Sequence, residues 1–177
     1  MAARTKDRRQ LIMGLLITAA LACVQAPGRG DIGQVFREIV QVAETDARAA
    51  AGSRGGTGPL LVDVGSFALA ATQAMGGSIT DREVREAIGP EAKAVSYAAA
   101  VRCGPPNSPC GVADDGVLVR LDSLRSTPKG LRAVVTSVTT SRRRSGRSAI
   151  CDRQLALTFD LRASRWILED RRVLLMC

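Results

Sequence analysis

The last third of this 177-residue chain alternates apolar with polar residues along most of its length, and a period of two restricts it to strands with one buried face. "GVLVRLDSL" sets Val117, Val119 and Leu121 on one side. "STPKG" is a turn, and "LRAVVTSVTTS" is β-branched and strand-like. The polar loop "SRRRSGRS" follows. Leu155, Leu157, Phe159 and Leu161 then alternate with Gln154, Ala156, Thr158 and Asp160, and a last apolar run extends from Trp166 to Met176. Four successive antiparallel strands, a four-strand meander, are therefore predicted.

Folding the last two strands about Ser164 sets Cys151 opposite Cys177, so a disulfide is expected to staple the final strand to its neighbour. A bulge near Glu169–Arg172 would shift that register. Cys103 and Cys110 then close the Pro-rich loop "CGPPNSPC". Four cysteines allow three pairings, and chain geometry favours this one. On the chain-entropy model the long loop contributes about 3.5 kcal/mol and the short one about 2.5. Zinc is rejected: the spacing is wrong and the chain has no histidine.

The other end reads "MAARTKDRRQLIMGLLITAALACVQAPGRG". A basic n-region leads into the charge-free, mostly apolar run Leu11–Ala22, followed by small residues and a Pro/Gly break. This is the layout of an export signal over residues 1–22, too short for a bilayer span of about 20 apolar residues. Arg8-Arg9-Gln10-Leu11-Ile12 resembles a twin-arginine export signal. Ala20-Leu21-Ala22-Cys23 resembles the lipobox of bacterial lipoproteins, which implies a lipidated Cys23 and a membrane tether. The family pattern places leucine three before the cysteine, whereas Leu21 lies two before it, and the same residues form an Ala-x-Ala site for cleavage after Ala22. If Cys23 is lipidated or trimmed away, Cys103, Cys110, Cys151 and Cys177 remain, an even set suited to an oxidising compartment. The expected localisation is the cell envelope, periplasmic or membrane-anchored, or secretion.

Residues 23–30 read as a tether and 31–177 as a single α+β domain. An amphipathic helix over 31–50 carries Ile32, Val35, Phe36, Ile39, Val40 and Ala43 at helical spacing, with Asp31 as cap and Gln34 reaching back to it. "PLLVDVGSF" reads as a strand, and the capping box Thr80-Asp81-Arg82-Glu83 opens a short helix ended by Gly89 and Pro90. "EAKAVSYAAAVRC" is taken as helix or irregular structure. One helix, one strand, helical material and a meander imply a helix packed on a curved, mostly antiparallel sheet.

The formal net charge of +8 at pH 7 overstates that of the domain. Residues 1–22 hold four basic groups and one acidic, which leaves 21 against 16, a net +5. Arg142, Arg143, Arg144 and Arg147 supply four of those, in one loop that is the expected partner contact. A nucleic-acid partner is not expected, because basic groups are not spread over a face and aromatic platforms are few. The absence of histidine removes Ser-His-Asp and Cys-His chemistry. No glycine-rich phosphate loop stands between a strand and a helix, six residues between Cys103 and Cys110 disfavour a redox pair, and no metal or other cofactor is expected. Carboxylates remain: Asp63, which interrupts an apolar strand, and Asp160, Glu169 and Asp170 about the terminal turn. Asp160 and Asp170 are expected to pair with Arg162, Arg171 and Arg172.

The element order and Arg165-Trp166-Ile167-Leu168 resemble the nuclear-transport-factor-like and cystatin-like α+β groups, in many of which the last hairpin carries an Arg-Trp-x-Leu type segment. That resemblance implies a sheet wrapped around a helix. The Asp/His pairs that some enzymes of the first group carry in their cone are absent here. The expected function is an exported or membrane-tethered, non-catalytic module that binds an unknown protein or small ligand through its sheet face. The alternative is an enzyme with a cone-shaped pocket, a buried carboxylate as base and Tyr97 beside it.

Overall fold

The helical stripe near the N-terminus forms α1 (Arg29–Ala51) and buries Ile32, Val35, Phe36, Ile39, Val40, Ala43 and Ala47. The computed structural model describes residues 29–52, 55–105, 110–142 and 148–176; the predicted signal, Cys23 and the tether up to residue 28 lie outside them. The helix begins before Asp31. Gln34 Nε2 donates to the carbonyl of Trp166, 3.1 Å away, which ties the second turn to the last strand.

Two helices follow a short strand. β1 (Leu60–Asp63) runs directly into α2 (Val64–Met75), so the predicted strand over "PLLVDVGSF" is cut at Asp63. α2 contains no charged residue and buries Val64, Phe67, Ala68, Ala70 and Ala71. Gly76 stops it at φ 67°, a left-handed cap that glycine adopts without steric cost. α3 (Asp81–Ile88) opens on the expected reciprocal cap: Glu83 N donates to Thr80 Oγ1 and Thr80 N to the Glu83 carboxylate.

The segment after α3 departs from expectation. It forms β2 (Lys93–Val95), the single turn α4 (Tyr97–Ala100) and β3 (Val101–Cys103). β3 pairs antiparallel with β4 (Cys110–Val112), Cys103 opposite Cys110. A disulfide joins them with Cα atoms 4.0 Å apart. Alanine favours helix, but here sheet pairing overrides that preference for all but one turn.

The predicted meander is present as β5 (Val117–Thr127), β6 (Gly130–Arg142), β7 (Ser148–Arg162) and β8 (Arg165–Met176). The main sheet has six strands in the order β2-β1-β5-β6-β7-β8 and is not closed. β1 is parallel to both neighbours, and the other pairings are antiparallel. One face carries Val119, Leu121, Leu131, Ala133, Val135, Leu155, Leu157 and Phe159 against α1 and α2 in the principal core. A smaller core of Leu61, Ala100, Val112, Leu118 and Val138 lies on the opposite face. There Thr140 Oγ1 accepts from Val112 N at 2.8 Å and pins the β3–β4 hairpin to β6.

The terminal hairpin turns on two residues, Ala163 and Ser164, both with positive φ, the conformation of a type I′ turn. Arg162 therefore pairs with Arg165, and the register about Ser164 holds only from Leu155 to Thr158. β8 carries one extra residue at Glu169 and another at Leu174. Arg153 pairs with Met176, so Cys151 lies two residues beyond the last described pair. Cys151 is disulfide-bonded; Cys177 lies outside the described residues.

Candidate functional site

The face of the sheet turned away from α1 and α2 carries a continuous polar strip. Alternation on the meander puts Arg120 of β5 in register with Thr136 of β6 and Gln154 of β7. A bulge between Leu121 and Ser123 swings Asp122 toward the same side. The amide of Leu121 donates to Ser66 Oγ at 3.0 Å, and that hydroxyl donates to the carbonyl of Asp63 at 2.7 Å. The start of α2 thus fixes the irregularity of β5 that presents the strip.

Asp122 organises these side chains. Its Oδ2 accepts from Thr136 Oγ1 at 2.5 Å and from Gln154 Nε2 at 3.0 Å. Its Oδ1 lies 3.0 Å from Arg120 Nε. That contact is an ion pair, and the buried Arg120 Nε makes no well-aligned hydrogen bond among the described residues. The Arg120 guanidinium lies over the Tyr97 ring, 5.4 Å from its centroid, a cation–π contact of about 0.5–1 kcal/mol at an exposed site. Donors, an acceptor and one aromatic face are therefore held in fixed positions across four elements.

Asp63 stands at the C-terminal end of β1, where α2 begins. Burial pushes its carboxyl above the ordinary value of 3.8, against the opposing pull of the Ser66 amide and Arg120; Asp81 adds to the rise. A raised native pKa favours folding fully below the unfolded value, and that contribution is lost as pH rises through the folded one. Asp63→Asn and the wild type should therefore unfold together below about pH 3.8, with the variant the more stable above the folded pKa. Thermal melts across pH test this; parallel curves at every pH would show that Asp63 is not strained by burial.

The predicted carboxylates do not converge. Asp160 lies 3.8 Å from Arg162, which also contacts Glu169. Asp170 pairs with Arg172 at 2.7 Å. Arg171 turns to the helix face and reaches Asp46 at 3.5 Å. Three clefts mark the surface of the domain. One of about 190 Å³ lies between α1 and α3, one of about 420 Å³ after α3, and one of about 270 Å³ on the open sheet face. Asp63, Asp160 and Tyr97 line none of these three. The third continues the strip and is bounded by Thr127, Arg132, Thr158, Asp170 and Arg172.

Arg142 ends β6 opposite Ser148, while Arg143, Arg144 and Arg147 lie outside the described residues. Among the described residues no three His, Cys, Asp or Glu side chains could share a metal ion, and no helix is long and apolar enough to cross a membrane. Arg120, Asp122, Thr136 and Gln154 were not singled out in the sequence. Their only signal was polarity at the positions alternating with the core. Compared with known proteins, the chain matches no family model, no curated protein and no solved structure.

Proposed function

We propose that this protein is an exported or membrane-tethered, non-catalytic binding module that takes its partner on the open face of the sheet. The observation that carries the proposal is the strip from Tyr97 through Arg120 and Asp122 to Thr136 and Gln154, polar groups and one ring held in place on that face. The Arg120 side chain is 41% exposed beside Asp122, so the outer edge of its guanidinium can meet a bound carbonyl, carboxylate or hydroxyl oxygen. The expected ligand is a polar surface or small molecule rich in oxygen acceptors. Export rests on the N-terminal sequence, with Cys23 as the proposed lipid attachment point.

A photo-crosslinking amino acid at Gln154 tests the face. The expected result is a discrete adduct in the envelope fraction, lost with Arg120→Ala and absent when the probe replaces Leu69, which is 61% exposed on α2. Equal labelling from both positions, or none from Gln154, would defeat the proposal.

The second reading, a carboxylate enzyme, draws on Asp63, whose carboxyl is raised by burial beside Arg120. It requires a substrate whose turnover Asp63→Asn abolishes while binding at the face persists.

A further inference from the structure

β8 ends the main sheet and pairs only with β7 among the described residues. It is also where exposed apolar residues gather: Ile167, Val173, Leu174, Leu175 and Met176 are 41–64% exposed. Long apolar edges invite further pairing, and natural proteins usually blunt them. The charged block Glu169-Asp170-Arg171-Arg172 in the middle of this strand has two acidic residues followed by two basic ones. Such an order repels a parallel copy in register and attracts an antiparallel one.

We propose that β8 pairs antiparallel with β8 of a second copy about a two-fold axis through Arg171, joining two six-stranded sheets into one. A two-fold axis perpendicular to a sheet must set one residue opposite itself and keep opposed side chains on the same face. Centring on Arg171 places Asp170 opposite the partner's Arg172, Ile167 opposite Leu175, and Trp166 opposite Met176, each pair formed twice. The β7 register supplies an independent check. Ile167, Asp170, Arg172 and Leu175 stand opposite Asp160, Thr158, Ala156 and Gln154, all on the open face. Trp166 and Met176 stand opposite Leu161 and Arg153, on the helix face. Every proposed pair therefore shares a face.

The two bulges fit the same register. Glu169 adds one residue between Ile167 and Asp170, and Leu174 adds one between Arg172 and Leu175. In the antiparallel pair these segments lie opposite each other, so the two insertions cancel and pairing resumes beyond them. Centring on Asp170 instead would face that carboxylate with its own copy and set Leu168 against Arg172. Arg171 does meet Arg171 in the chosen register, but each lies 3.5 Å from Asp46 of its own chain. The cleft lined by Asp170 and Arg172 would then adjoin its copy across the axis.

Sedimentation of the full-length chain in a mild non-ionic detergent tests the pairing by charge exchange. The wild type should sediment as a dimer. Asp170→Arg and Arg172→Asp should each weaken association by roughly tenfold or more, since two attractive pairs become repulsive. Mixing the two variants should restore a dimer, because each then meets its opposite. Arg172 and Asp170 are 75% and 44% exposed, so folding should survive; Leu175→Lys provides a further variant expected to dissociate. A monomeric wild type, or a dimer indifferent to all three substitutions, would overturn the proposal. So would a monomer whose outward β8 amides resist hydrogen exchange, because another segment of the same chain would then cover the edge.

Discussion

Phe67→Ala is expected to remove about 4 kcal/mol of stability, within the range of about 3–5 for deleting a fully buried aromatic ring. Phe67 is completely buried on α2 and meets the buried Phe36 of α1 edge to face, ring centroids 5.3 Å apart. Such a pair adds about 0.5–1.5 kcal/mol beyond the area it covers. The two rings join the helices above the meander, and the cavity left by an alanine cannot close while both helices remain seated on β5 and β6. Urea denaturation should show a lower midpoint with an unchanged slope. Phe36→Ala combined with Phe67→Ala should cost less than the two single losses together, because each already forfeits the shared contact. A loss below about 1 kcal/mol would mean that α2 is not packed as described.

Asp46→Asn is expected to cost about 3 kcal/mol at neutral pH, the lower end for breaking a buried ion pair from one side. Asp46 lies on α1 at 5% exposure, receives the Nε of Arg153 in β7 and its second guanidinium nitrogen at 3.3 Å, and also faces Arg171 of β8. Neutralising it leaves Arg153, with a side chain only 18% exposed, without its counter-charge. For a chain of this size the melting temperature should fall by roughly 6–12 °C. Arg171→Ala, at a side chain 47% exposed, should cost less than about 1 kcal/mol. Equal losses from the two substitutions would show that Arg153 is not the principal partner.

The elements read correctly from sequence are those with a long, one-sided pattern. The stripe of α1 runs from Ile32 to Ala47, and each strand of the meander is at least 11 residues long, so the period is unmistakable. The capping box of α3 was equally legible, being a local exchange of hydrogen bonds between Thr80 and Glu83. α2 was missed for the opposite reason. Apart from Ser66, Thr72 and Gln73 it has only apolar residues and glycine, and without a charged face there is no contrast to reveal helical spacing. β2 and β3, with three residues each, are too short to display any period.

The site was less legible than the fold. Asp63 stands out because it interrupts an apolar run, and burial raises its carboxyl. The sequence offers Tyr97 as a companion for a carboxylate, but its ring lies under the Arg120 guanidinium. Symmetry of the last two runs centres their turn on Ser164; the Ala163-Ser164 turn and two bulges shift the two ends in opposite directions. Periodicity alone located the first helix and the four strands of the meander, because it is a property of neighbours in the chain. Only the tertiary structure decided that β1 lies between β2 and β5 and that Arg120, Asp122, Thr136 and Gln154 meet, because strand order and register depend on contacts between residues far apart in the chain, and a shift of one residue would turn each of those side chains to the other face.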